Sequence, residues 1–162
     1  MRATATAALL TLAGIGLAHA AGTVNVSFVE PDKFVDAGNK RSDTPATLKA
    51  LEQHFHALGQ RYLADGQTLT VEVLDVDLAG SVRFSPNTGT EVRVYKGSAD
   101  WPRIKLRYTL DAPGQEPRRG EELLKNLSYQ QKTARYSDSE PFRYEKQMLD
   151  QWFKARFAPK QP

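Results

Sequence analysis

The chain has 162 residues, no cysteine, and 22 lysines and arginines set against 19 acids. The missing thiols exclude disulfides, zinc–thiolate sites, iron–sulfur clusters and thiol redox chemistry. A well-mixed net charge of +3 is not the concentrated basic excess of a nucleic-acid protein, so no nucleic-acid partner is expected.

Met1-Arg2, an apolar run from Ala7 to Leu17 and the close Ala18-His19-Ala20 read as a secretory signal peptide over 1–20, cut after Ala20. The alternative is an uncleaved anchor. That needs roughly 20 apolar residues, more than this run holds. No later stretch is apolar enough to span a membrane. Subtracting the 20 leader residues from 162 leaves 142, read as one globular domain over 21–162. A chain of that size buries roughly two-thirds of its unfolded surface, enough for a core without staples. Arg2 leaves with the leader, so 21 basic residues remain against 19 acids. With no cysteine to carry a lipid at the cleavage site, a soluble exported protein is expected.

Thr23 to Val29 alternates, with Val24, Val26 and Phe28 on one side and Asn25 and Ser27 on the other, which predicts a half-exposed strand. Glu30-Pro31-Asp32 stops it. Lys33 to Arg41 has no period and reads as a surface loop with Phe34 or Val35 pinned to the core. Asp43-Thr44-Pro45 predicts a helix start, capped by Thr44 or Asp43. Leu48, Leu51, Phe55, Leu58 and Tyr62 follow at spacings of 3, 4, 3 and 4, one narrow apolar stripe. Asp65-Gly66 ends the helix.

The next strand, Val71 to Gly80, is the centre of the chain. Its apolar parity switches near Val73–Leu74: Leu69, Val71 and Val73 before, Leu74, Val76 and Leu78 after. A side-chain period of two allows this only with a bulge or with burial on both faces. It is read as a strand covered on both faces in its middle. First strand, helix and central strand form a β-α-β unit, expected to be parallel with a right-handed crossover. Ser81 to Thr90 holds the turn signals Pro86-Asn87 and Gly89. Glu91 to Tyr95 is a short strand, and Lys96 to Pro102 a loop holding Trp101. Arg103 to Leu110 alternates cleanly, and 111–119 is a polar hairpin loop. Glu121 to Ser128 is the last strand. Tyr129 to Glu140 reads as a mobile loop. Ser139 or Glu140 with Pro141 then starts a helix carrying Phe142, Met148, Leu149, Trp152, Phe153 and Phe157.

No G-x-S-x-G, S-x-x-K, H-E-x-x-H, P-loop or G-x-G-x-x-G is present. His54 and His56 point about 200° apart on a helix and cannot chelate one ion; both are read as non-functional. Asp75 and Asp77 share a strand face and are metal candidates, although calcium needs six or more oxygens. Their plainer reading is as acceptors for loop amides or arginines. The outward row Arg103, Lys105, Arg107, with Trp101 just before it, suggests an anion, glycan or partner surface. Glu121 and Glu122 on the next strand are available to offset it. Glu145 falls inside the apolar arc of the last helix, where an isolated carboxylate needs a partner or a shifted pKa; Arg107 is one possible partner. Its plainer role is at the free amides of the helix start.

Three segments carry a resemblance. They are Val71-Glu72-Val73-Leu74-Asp75-Val76-Asp77-Leu78-Ala79-Gly80, Asp100-Trp101-Pro102-Arg103-Ile104 and Arg143-Tyr144-Glu145-Lys146-Gln147-Met148-Leu149-Asp150-Gln151-Trp152-Phe153. Together with the opening Val26-Ser27-Phe28-Val29-Glu30-Pro31-Asp32-Lys33-Phe34, they resemble the family of domain of unknown function 3016, exported proteins of Gram-negative bacteria. The resemblance covers nearly all of the mature chain. It implies a periplasmic single-domain protein and brings no activity or ligand with it.

The expected architecture is α+β: one mixed, mostly antiparallel sheet of about five strands with two packed helices, in the order β-α-β-β-β-β-α. The leading function is a non-enzymatic binding or envelope-associated protein, using the surface around Trp101, Arg103, Lys105 and Arg107, with Glu145 as a further binding candidate. Its partner would be another periplasmic or envelope component. A carboxylate- or metal-dependent hydrolase, built on Asp75, Asp77 and Glu145 converging in one pocket, is the alternative. A structural protein with no specific ligand is the third. No cofactor is expected.

Overall fold

A computed structural model describes residues 22–97, 99–131 and 136–158. The expected leader lies outside the described residues, as do 132–135 of the expected loop Tyr129–Glu140.

Strand β1 (Thr23–Phe28) keeps its alternation, with Val24, Val26 and Phe28 on the core and Asn25 and Ser27 exposed. Phe34 packs on the core after it, and Val35 is exposed. Helix α1 (Thr44–Tyr62) buries Leu51, Phe55 and Leu58 along the expected stripe. Neither expected cap is made by a side chain; the Asp43 carboxylate instead takes the Lys40 amide at 3.1 Å. The helix lies so close on β1 that a Cβ added to Gly59 would meet Val24 Cγ2 at 2.1 Å.

Strand β2 (Thr68–Asp77) pairs in parallel with β1 and antiparallel with β5 (Arg103–Asp111), and β5 pairs antiparallel with β6 (Arg118–Lys125). The sheet order is β1-β2-β5-β6. The expected single five-stranded sheet is therefore a mixed four-stranded one plus a separate hairpin, β3 (Ser81–Ser85) and β4 (Thr90–Val94). The turn signals Pro86-Asn87 and Gly89 do mark a turn at 86–89, and the residues before it, where no strand is expected from sequence, form β3. Residues 129–131 form a short 3-10 turn with Tyr129 buried. The second helix, α2 (Arg143–Phe157), starts after Pro141, because Phe142 takes a left-handed conformation (φ 57°) that breaks the helix at that point.

Both helices cover the same face of the sheet. Phe55, Trp152, Phe153 and Phe157 meet Leu69, Val71, Val73, Ile104 and Leu106 there. The opposite face stays open: Glu72 and Arg107, at the middle of the sheet, are 39% and 51% exposed in their side chains. This corrects the expectation of cover on both faces. The parity switch is instead a β-bulge at Leu74, where the register passes from Val73↔Leu106 to Asp75↔Lys105. One extra residue flips all later side chains. Val76 and Leu78 thereby rejoin Val71 and Val73 in the core, and Glu72, Asp75 and Asp77 line up on the open face opposite Arg107, Lys105 and Arg103.

Candidate functional site

The site forms where β2 leaves the sheet. Asp36 bridges in parallel to Asp77, its amide donating to the Val76 carbonyl and its carbonyl accepting from Leu78. This continues the β1 edge and sets the Asp36 carboxylate beside the end of β2. Beyond it the chain turns at Gly80 (φ 83°), a conformation that favours glycine, and enters the hairpin. Ala79 thus has no strand neighbour for its backbone. Its amide donates to Glu145 Oε1 at 2.7 Å, and its carbonyl accepts from Arg93 Nη1 at 3.1 Å.

Arg93, on β4, is fully engaged. It forks onto both oxygens of Asp36 at 2.9 Å and donates from Nε to Asn39. Burial works against its charge, but Asp36 outweighs this and raises its pKa. Glu145, on the first turn of α2, is only 3% exposed. Burial pushes its carboxyl above the usual carboxylate range, although the Ala79 amide and the Arg93 charge pull the other way. Besides the Ala79 contact, its side chain has no ion pair or hydrogen-bonding side chain among the described residues.

Aromatic rings wall the same region. Tyr95 and Tyr144 stand edge to face at 5.2 Å, and Tyr144 and Tyr129 at 4.6 Å. Trp101 and Ala79 complete this second cluster. The Tyr129 hydroxyl accepts the Gly97 amide at 3.1 Å and donates to Asp100 at 3.0 Å. Burial and the Asp100 charge push its pKa up to about 12. Above the rings lies an open cleft of about 340 Å³, walled by the hairpin at Arg93 and Tyr95 and by the 138–145 turn. Arg143 stacks over the Tyr144 ring at 4.6 Å and pairs with Asp138, and Glu140 pairs with Lys146.

The family described as Protein of unknown function (DUF3016) matches over residues 22–155. The chain belongs to the DUF3016 family. No curated protein and no solved structure matches it.

In this DUF3016 chain the residues singled out from sequence separate into two places. Asp75, Asp77, Arg103, Lys105 and Arg107 stand on the open sheet face. Asp75 takes the Val35 amide at 2.9 Å, and Asp77 takes Arg103. Lys105 pairs with Glu121 at 3.0 Å, and Arg107 with Glu72 at 2.7 Å. Glu122 turns to Arg156 instead of the row. Arg107 is thus on the face opposite Glu145, and the positive charge near Glu145 is Arg93. Neither Asp75 nor Asp77 lines the cleft over Glu145. No group of three acids or histidines suited to a metal occurs among the described residues. Trp101 is half-buried in the tyrosine cluster. His54 is a clip between the helices, its Nε2 lying 3.0 Å from Asp150 Oδ1 and 3.2 Å from the Lys146 carbonyl. His56 is exposed.

Asp36, Arg93, Tyr95 and Tyr129 belong to the site and escaped the sequence reading. Their only sequence signal was position: an arginine and a tyrosine within two residues on a short strand, and an aspartate two past Phe34.

Proposed function

We propose that the protein is an exported, periplasmic, non-enzymatic binding protein that takes a small ligand in the cleft over Glu145. The observation that carries this reading is the Glu145 carboxyl. It is buried at the back of a cleft of a size usual for small ligands, with one oxygen committed to Ala79. The basic row of β5 carries less, because acids on β2 and β6 already hold it. The missing catalytic signatures support binding over turnover. The secretory pattern of residues 1–20 and the family resemblance support the periplasm.

Native mass spectrometry on protein recovered from the periplasm tests this. The denatured mass should correspond to cleavage after Ala20. The native mass should exceed it by a small ligand, and the Glu145→Ala chain should lose that increment. Protein retained in the cytoplasm refutes the compartment. An increment unchanged in Glu145→Ala refutes the cleft.

A further inference from the structure

Among the described residues, the charges around the cleft leave one group without an ion pair. Arg93 is matched by Asp36, Arg143 by Asp138, and Glu140 by Lys146. Burial raises the Tyr95 pKa, so its ring brings no charge to the cleft. Among the described residues Glu145 alone has no ion pair of its own, the nearby Arg93 being committed to Asp36, although it is the most deeply buried of the acids that line the cleft. A buried carboxylate is stabilised by a cation brought to it, and an occupant that restores its charge gains that interaction at a carboxyl only 3% exposed. A hard metal ion needs more oxygens than one carboxylate supplies. An ammonium needs one carboxylate and is further favoured by an aromatic face, which the half-exposed Tyr95 provides beside Tyr144, whose own ring already carries Arg143. Among the described residues an anion would meet no unpaired donor charge, since both arginines that line the cleft are already forked or paired.

Building on the cleft reading above, we infer that the ligand presents a primary ammonium group, received by the Glu145 carboxylate beside the Tyr95 and Tyr144 rings. Ammonium groups occur on simple amines and at the N-termini of peptides, and both share this chemistry.

The test is amide-resolved NMR titration of the mature chain with n-butylammonium, alanyl-alanine, n-butanol and butyrate at neutral pH. Butylammonium should shift the Ala79 amide, which reports directly on Glu145. Glu145→Gln should weaken its binding at least tenfold. Tyr95→Ala, which leaves the carboxyl in place, should weaken it several-fold and keeps the test open if the glutamine variant folds poorly. Tighter binding of alanyl-alanine assigns the ammonium to a peptide, and equal or weaker binding assigns it to a simple amine. Butanol or butyrate binding the cleft as tightly as butylammonium overturns the ammonium while leaving the cleft standing. If none of the four shifts the cleft, both readings fall.

Discussion

Replacing Glu145 by glutamine should make the protein more stable at neutral pH, by an amount that grows with pH. Glutamine keeps the shape and the oxygen that accepts the Ala79 amide, so the backbone joint survives. What it removes is the ionisable proton. The folded-state pKa of Glu145 is raised above the usual 4.5 by burial. The folded protein therefore holds a proton that the unfolded chain has released between those two values. Stability is full below about pH 4.5 and falls as pH rises toward the folded pKa. One proton makes the slope at most about 1.4 kcal/mol per pH unit. Urea unfolding of both proteins from pH 4 to 8 measures it. The gap between them should open above about pH 4.5, with glutamine the more stable, and level off once the folded carboxyl has ionised. A gap that stays flat, or that favours wild type increasingly as pH rises, would show that Arg93 and the Ala79 amide outweigh burial and that the carboxylate sits charged in the empty protein.

Other substitutions separate contacts from propensity. Gly59→Ala should gain about 1 kcal/mol of helix propensity, but the new Cβ would lie 2.1 Å from Val24 Cγ2. Overpacking costs about 1–3 kcal/mol, so thermal unfolding should show a net loss, and a raised melting temperature would refute the tight seating of α1 on β1. Arg93→Lys should destabilise by about 2 kcal/mol or more, since lysine cannot fork onto Asp36 and reach Asn39 and Ala79 together; chemical denaturation measures it. Tyr129→Phe removes the hydroxyl that accepts the Gly97 amide and donates to Asp100 Oδ1, leaving Asp100 the Lys96 amide, at a cost of about 1–2 kcal/mol. Ultraviolet titration of the tyrosines should lose its phase near pH 12 in that variant.

The elements that sequence reasoning placed well have one face buried along their whole length. The α1 stripe and the alternation of β5 declare themselves because every third or fourth, or every second, residue enters the core. The parity switch near Val73–Leu74 marks the place of the bulge, but in sequence it reads as cover on both faces, and the open face shows that the bulge is the explanation that applies. The hairpin was missed in part for the opposite reason. Phe84 is 66% exposed and no residue of β3 is fully buried, so no buried side imposes a period on β3. Glu145 was legible as anomalous from the helical wheel alone. Its surroundings were not, because a wheel assigns a direction and the sheet topology decides what lies there. Arg93 reaches the site from a hairpin outside the main sheet, and no local spacing announces that.

The joint at Ala79 bears on whether Glu145 is there only to hold the fold. A strand that leaves its sheet exposes one amide and one carbonyl, and here an acid from α2 takes the first while an arginine from β4 takes the second. That duty needs one acceptor oxygen. Glutamine supplies it without a buried charge, so a purely structural joint has no use for the second carboxyl oxygen or for the raised pKa. The left-handed Phe142, three residues before, adds about 1–3 kcal/mol of strain at the same turn, and helix α2 begins there with no side-chain cap. Three unfavourable features thus converge on the lip and floor of one cleft. Glu145→Gln distinguishes the two readings: a joint alone loses nothing and gains stability, whereas a ligand site gains stability and loses its ligand.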